Sequence, residues 1–204
     1  MARSVTSVRA VVVGASAGGI EALSLVLRAV PASFPAAIII VQHLGRGRLS
    51  VLAEIFAAKC ALPLSEAFDK QPIESGQVYL APPDYHVLVD RGPQLSLSID
   101  PPVHYSRPSI DVLFESAAEV YRTQLMGVVL TGANADGAEG LEAIRRNGGI
   151  TVVQDPETAL YPTMPTAALA LGAPNYVLSL EALCELIHKV GEAEPSRSLK
   201  VENE

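Results

Sequence analysis

Three short polar clusters interrupt an otherwise apolar chain, and each follows a β-branched run. The first is Gly14-Ala15-Ser16-Ala17-Gly18-Gly19. It matches G-x-S-x-G, a pattern that holds a serine on a sharp strand-to-helix turn. Small neighbours let a substrate approach the hydroxyl, and the helix N-terminus beyond offers N–H groups and a positive dipole end to a developing oxyanion. The second is Gln42-His43-Leu44-Gly45, with an imidazole of the kind that serves as general base to a serine. The third is Thr131-Gly132-Ala133-Asn134-Ala135-Asp136-Gly137, where Asp136 could orient His43 and stabilise the imidazolium formed during attack. Together they point to nucleophilic hydrolysis of an ester or amide. Each also has a plain structural reading: Ser16 capping a helix, His43 satisfied at a strand end, Asp136 capping the helix that begins at Gly137. A dinucleotide-binding turn is disfavoured, because Ser16 stands where the third position of G-x-G-x-x-G needs glycine. The second strand also ends in Gln42-His43 rather than an acidic residue. The other histidines have no comparable setting: His86 opens a hairpin, His104 lies in a Pro-rich loop and His188 on the last helix.

The elements that must position these residues alternate between strand and helix. Residues 8–13, 36–41, 78–81, 125–130, 150–154 and 176–178 read as short buried strands. Apolar residues at helical spacing place helices over 18–30, 48–59, 109–121, 137–146, 164–171 and 180–190. Residues 87–89 and 95–98 alternate around Arg91-Gly92-Pro93, which suggests an antiparallel hairpin. The expected fold is therefore α/β: a doubly wound, mostly parallel sheet with helices on both faces and a small antiparallel hairpin. In such a sheet a site lies at the carboxyl ends of the strands, where all three clusters fall. Residues 1–7 read as a loose lead-in. One domain is expected over 1–190, with residues 191–204 a flexible tail.

Composition narrows the classes. A chain of 204 residues that is almost half apolar can bury a core without disulfides or metals. A net charge of −7 disfavours non-specific nucleic-acid binding, although Arg46, Arg48 and Arg107 could form a local basic patch. Cys60 and Cys184 have no nearby cysteine, so neither a zinc motif nor a disulfide framework is expected, and a reducing cytoplasm is the natural setting. The apolar run before Ala15-Ser16-Ala17 covers only residues 10–13, too short for a secretory signal, and no segment reaches membrane-spanning length.

Ordered motifs extend the pattern: Val41-Gln-His, Val78-Tyr-Leu-Ala-Pro-Pro-Asp-Tyr-His, Arg107-Pro-Ser-Ile-Asp-Val-Leu-Phe, Val129-Leu-Thr-Gly, Asp136-Gly and Met164-Pro. With the serine turn, they resemble the catalytic domain of the chemotaxis protein-glutamate methylesterases, the CheB family, over residues 11–183. The resemblance implies a Ser16-His43-Asp136 triad that hydrolyses glutamyl methyl esters on chemoreceptors and releases methanol, with deamidation of glutamine at the same sites. It implies no metal and no organic cofactor. The partners it implies are the cytoplasmic domains of methyl-accepting chemoreceptors. Oxyanion or substrate contacts are expected from Ala17, Ala133, Arg107 and Met164, with a structural role for Arg107 equally open. The chain departs from the family's common pattern in two places. Ala17 stands where threonine is usual, and Thr-Gly-Ala-Asn-Ala-Asp-Gly replaces Thr-Gly-Met-Gly-x-Asp-Gly. No receiver domain precedes the first strand, so a standalone esterase with a separate regulator, or an excised domain, is expected. The rival readings are a non-catalytic adaptor of the same fold that binds receptors or a kinase, and a hydrolase of another ester or amide.

Overall fold

The computed structural model describes residues 8–44 and 51–192. The elements run β1 (Ala10–Ala15), α1 (Gly19–Ala29), β2 (Ala37–Gln42), α2 (Leu52–Ala57), β3 (Leu64–Glu66), β4 (Val78–Leu80), β5 (His86–Asp90) and β6 (Gln94–Ser98). They continue with α3 (Ile110–Tyr121), β7 (Leu125–Val129), α4 (Ala138–Arg146), β8 (Ile150–Gln154), α5 (Thr163–Leu171), β9 (Tyr176–Leu178) and α6 (Leu180–Glu192). Seven strands form one sheet in the order β3-β4-β2-β1-β7-β8-β9, and every pairing in it is parallel. The expected antiparallel hairpin is β5 with β6, a separate two-stranded sheet.

Alternation along β1 explains the layering. Val11 and Val13 point to one side, where Leu23 and Leu27 of α1, Phe56 of α2 and Leu183 and Ile187 of α6 complete a core. Ala10 and Val12 point to the other, among Leu113 and Phe114 of α3, Leu141 and Ile144 of α4 and Ala168 of α5. Both faces are therefore dry, which is why the central strands are apolar runs rather than alternating ones. Among the described residues no helix is long and apolar enough to cross a membrane. Cys60 and Cys184 are free thiols, each half-buried, and burial pushes both upward in pKa.

Successive strands leave β1 in opposite directions, β2 on one side and β7 on the other, so β1 is the switch point of the sheet. The ends of β1, β2 and β7 carry the serine, histidine and aspartate clusters respectively.

Several boundaries differ from the sequence reading. Strand β3 was not foreseen: three half-buried residues pair with β4 at the sheet edge, too few to show a period. Helix α2 covers only the middle of the expected 48–59. Residues 45–50, with Arg46 and Arg48 of the suggested basic patch, lie outside the described residues, as do 1–7 and 193–204. Helix α6 runs two residues past the expected boundary at 190, because Val190 and Gly191 are buried and a side chain at 191 would meet Pro31.

Ile144 is fully buried on α4, and side chains at Gly127 or Gly149 would collide with it. Ile144→Ala should lower the unfolding free energy by about 2–5 kcal/mol in urea titrations followed by far-UV circular dichroism. A loss below about 1 kcal/mol would show that α4 is not packed on β7 as described.

Candidate active site

The turn after β1 is stitched to both neighbouring strand ends. Ser16 N–H donates to the Thr131 carbonyl at 3.0 Å, and His43 N–H donates to the Ala15 carbonyl at 3.0 Å. Gly19 N–H closes the turn on the Ser16 carbonyl at 2.9 Å, with Gly18 at φ 74°, a left-handed conformation that a side chain would strain. Gln42 Nε2 donates to the carbonyls of both Ser16 and His43, each at 2.8 Å, so one buried side chain ties the serine turn to the histidine. Gln42 Oε1 is buried without a hydrogen-bond partner, yet flipping the amide would set its oxygen against two carbonyls. Thr131 adds a third tie: its hydroxyl donates to the Ala17 carbonyl at 3.0 Å, and its N–H donates to Gln154 Oε1 at 2.9 Å.

His43 Nε2 lies 2.9 Å from Asp136 Oδ2. Asp136 has no solvent exposure and also accepts from Ile110 N–H (2.7 Å), Asp111 N–H (3.0 Å) and the Ser109 hydroxyl (2.8 Å). Burial works to raise its pKa. The His43 bond and the two backbone N–H groups outweigh burial, and the net shift is downward. An ionised Asp136 accepts only, so Nε2 carries the imidazole proton and Nδ1 is the acceptor. The ring is thus used in the opposite sense from the familiar template, in which Nδ1 faces the acid. Asn134 Nδ2 lies 3.4 Å from Nδ1, while Asn134 Oδ1 accepts the Asp136 N–H at 3.2 Å.

Asp136 does cap a helix, but it is α3 and not the α4 that follows it. Helix α4 is capped in return from α3: Asp111 Oδ1 accepts from Gly137 N–H (2.9 Å) and Gly140 N–H (2.7 Å). The other oxygen, Asp111 Oδ2, has no directed hydrogen bond and lies 3.3 Å from His104 Nε2.

Ser16, Ala17, Glu21, His43, Ser106 and Asn134 are among the residues lining one cavity of about 470 Å³. Among the described residues neither the Ala17 nor the Ala133 N–H has a protein acceptor. Met164 does not line the cavity. It is buried beneath Gly132, where any side chain would overlap its sulfur, and its N–H donates to the Gly132 carbonyl at 3.0 Å, so it shapes the 131–136 loop from below. Arg107 does not line it either. Its guanidinium pairs with Asp84 at 2.9 Å and donates to the carbonyls of Ile99 (2.8 Å) and Asp100 (3.2 Å), holding the loop that carries Ser106. The sequence reading passed over Gln42, Asn134, Ser109 and Asp111 as parts of the site. Gln42 and Asn134 stand within the polar clusters, and Ser109 and Asp111 within the Arg107-Pro-Ser-Ile-Asp motif, but nothing in their types shows the contacts they make. Among the described residues no group of three or more His, Cys, Asp or Glu could hold a metal ion.

The CheB methylesterase family model matches residues 11–187. The chain belongs to that family. A Leptospira interrogans protein, named provisionally a protein-glutamate methylesterase/protein-glutamine glutaminase, is 48% identical over 183 residues, covering 90% of this chain and 95% of that one. The Symbiobacterium thermophilum protein-glutamate methylesterase/protein-glutamine glutaminase is 39% identical over 185 residues, and there the match spans 51% of the relative's length. Among solved structures, the CheB methylesterase catalytic domain of Thermotoga maritima superposes with a TM-score of 0.82 at 32% identity, covering 88% of this chain and 98% of that one. The family's α/β fold is the one described above.

The two neighbouring carboxyl groups respond to pH in opposite senses. Burial, joined by the nearby Asp136 charge, drives Asp111 from 3.8 up to about 7 against the Gly140 hydrogen bond. The folded protein therefore holds that proton more tightly than the unfolded chain. Its contribution to stability is complete below the ordinary value and is lost as pH rises through about 7. Asp136, depressed in the fold, contributes above the ordinary carboxylate range and loses that contribution in acid. Asp111→Asn keeps an oxygen for Gly137 and Gly140 but cannot titrate. Urea midpoints at about pH 4 and about pH 8 should show the variant gaining on the wild type as pH rises. A constant difference between them would mean Asp111 is already ionised at the lower pH.

Proposed function

We propose that this protein hydrolyses methyl esters of glutamate side chains on chemoreceptors, releasing methanol, with Ser16 as nucleophile, His43 as base and Asp136 as the group that orients it. The observation that carries the reading is the His43–Asp136 bond at 2.9 Å, made by an imidazole that lines the same cavity as Ser16. In the first step Ser16 Oγ attacks the ester carbonyl while its proton passes to Nδ1 of His43. Asp136, held anionic by its hydrogen bonds, stabilises the resulting imidazolium. The N–H groups of Ala17 and Ala133 supply the donors for the oxyanion, one following the nucleophile and the other on the loop after β7. Nδ1 then returns the proton to the methoxy oxygen, the C–O bond breaks and methanol leaves. Water, deprotonated by His43, attacks the acyl-enzyme and frees the glutamate carboxylate and Ser16.

The same acyl-enzyme forms from a glutamine side chain, with ammonia leaving in place of methanol, so the reading includes glutaminase activity. The names of the family relatives support both substrates. The reaction takes place on the receptors' cytoplasmic domains, which makes the protein a cytoplasmic one. Residues 11–187, the span that the family model matches, form the methylesterase domain. The serine, histidine and aspartate stand together with free oxyanion donors, which an adaptor has no need of.

Methanol release from methylated chemoreceptor should fall at least about a thousandfold in Ser16→Ala, because removing a triad nucleophile leaves only the binding and oxyanion contributions. Equal release by the variant would remove Ser16 from the mechanism. No release by either protein, with receptor binding retained, would favour the adaptor.

A further inference from the structure

We propose that Asn134 is a positioning residue for the general base: its carboxamide N–H fixes the His43 ring and keeps the Nδ1 lone pair turned toward the cavity. The inference rests on the serine-hydrolase reading above. Its ground is a chain of three contacts. Asp136 N–H donates to Asn134 Oδ1 at 3.2 Å, which sets the amide's orientation and leaves Nδ2 facing His43. Asn134 Nδ2 lies 3.4 Å from His43 Nδ1. His43 Nε2 donates to Asp136 Oδ2 at 2.9 Å. The imidazole is therefore held at both nitrogens by neighbours two residues apart on one loop, and Asn134 and His43 line the cavity with Ser16.

The chemistry of a carboxamide suits this task. It donates to an acceptor nitrogen but does not take its proton, so it holds Nδ1 without competing as a base. At 3.4 Å the contact is at the long, weak end of hydrogen bonding, and the Ser16 hydroxyl can displace it when substrate arrives. Once Nδ1 has taken the serine proton, an N–H on Nδ1 faces an N–H on Asn134. Donor against donor favours onward transfer of that proton to the methoxy oxygen as the C–O bond breaks. Asn134 thus acts on the reaction through His43.

Two substitutions separate this role from a structural one. Asn134→Asp retains an oxygen for the Asp136 N–H and loses the donor to His43. Asn134→Ala loses both. Each should lower kcat for methanol release by about fivefold to tenfold, the worth of one hydrogen bond, with KM within about twofold. In protein carrying ¹⁵N-labelled histidine, the His43 Nδ1 resonance should shift in both variants, as the acceptor nitrogen loses its donor. Wild-type kcat in Asn134→Asp would overturn the proposal, as would an unmoved Nδ1 resonance or a raised KM with kcat intact. If Asn134→Ala does not fold, the aspartate variant decides. If the wild-type protein releases no methanol, the esterase reading fails, while the Nδ1 resonance still tests whether Asn134 holds the ring.

Discussion

The carboxylate of Asp136 is an ion without solvent exposure, and the site and half the sheet's cover are organised around it. Left unpaired, a buried charge of this kind would cost several kcal/mol. It persists because four donors converge on it: His43 Nε2, the Ser109 hydroxyl and the N–H groups of Ile110 and Asp111. Two of these are orphan N–H groups at the first turn of α3, where the helix dipole also favours negative charge. The group that orients the proposed base is thus the group that terminates a core helix. Catalytic geometry inherits the rigidity of the α3–α4 packing, and no mobile loop side chain has to supply it.

A second carboxyl group lies one contact away, and the two divide the available stabilisation. Asp111 caps α4 from the first turn of α3, and Asp136 caps α3 from the loop that leads into α4, so the helix starts are exchanged partners. Two adjacent buried anions would repel strongly. Asp136 collects the hydrogen bonds and is driven down, and Asp111, left with one undirected oxygen, is driven up. The ionised member of the pair is thus the one bonded to His43 Nε2, which is what an Nε2–H tautomer requires.

Much of this was legible in the residues. The β-branched runs mark the parallel strands, and their order along the chain places Ser16, His43 and Asp136 at three strand ends. The cap role of Asp136 was legible in kind but assigned to the wrong helix. An aspartate before a helix start looks like its N-cap, whereas the partner here, α3, begins 26 residues earlier in sequence. Strand β3 was too short to show a period. Gln42 stood in the histidine cluster and in the Val41-Gln-His motif without a role of its own, because nothing in a glutamine's type reveals that its amide will reach two carbonyls. Met164 and Arg107 carried motif signals that the structure turns into support for the 131–136 loop and for the loop bearing Ser106.

Close packing accounts for why the turn that carries the proposed nucleophile is built from such small residues. The spatial sequence is β2, β1, β7, so histidine and aspartate come from strands on either side of the one that carries the serine. Neighbouring strands are about 4.8 Å apart, which puts the two outer strand ends roughly 10 Å from each other. The 2.9 Å bond between His43 and Asp136 therefore spans the width of β1, which lies between their strands. A side chain at position 14 would meet Ile110 at the start of α3, and one at position 19 would meet Gln42 and Ala15. Glycine at both positions leaves α3 and the Gln42 side chain where they are, and His43 lines one cavity with Ser16. The switch-point strand thus carries the proposed nucleophile between the strands that carry its two proposed helpers.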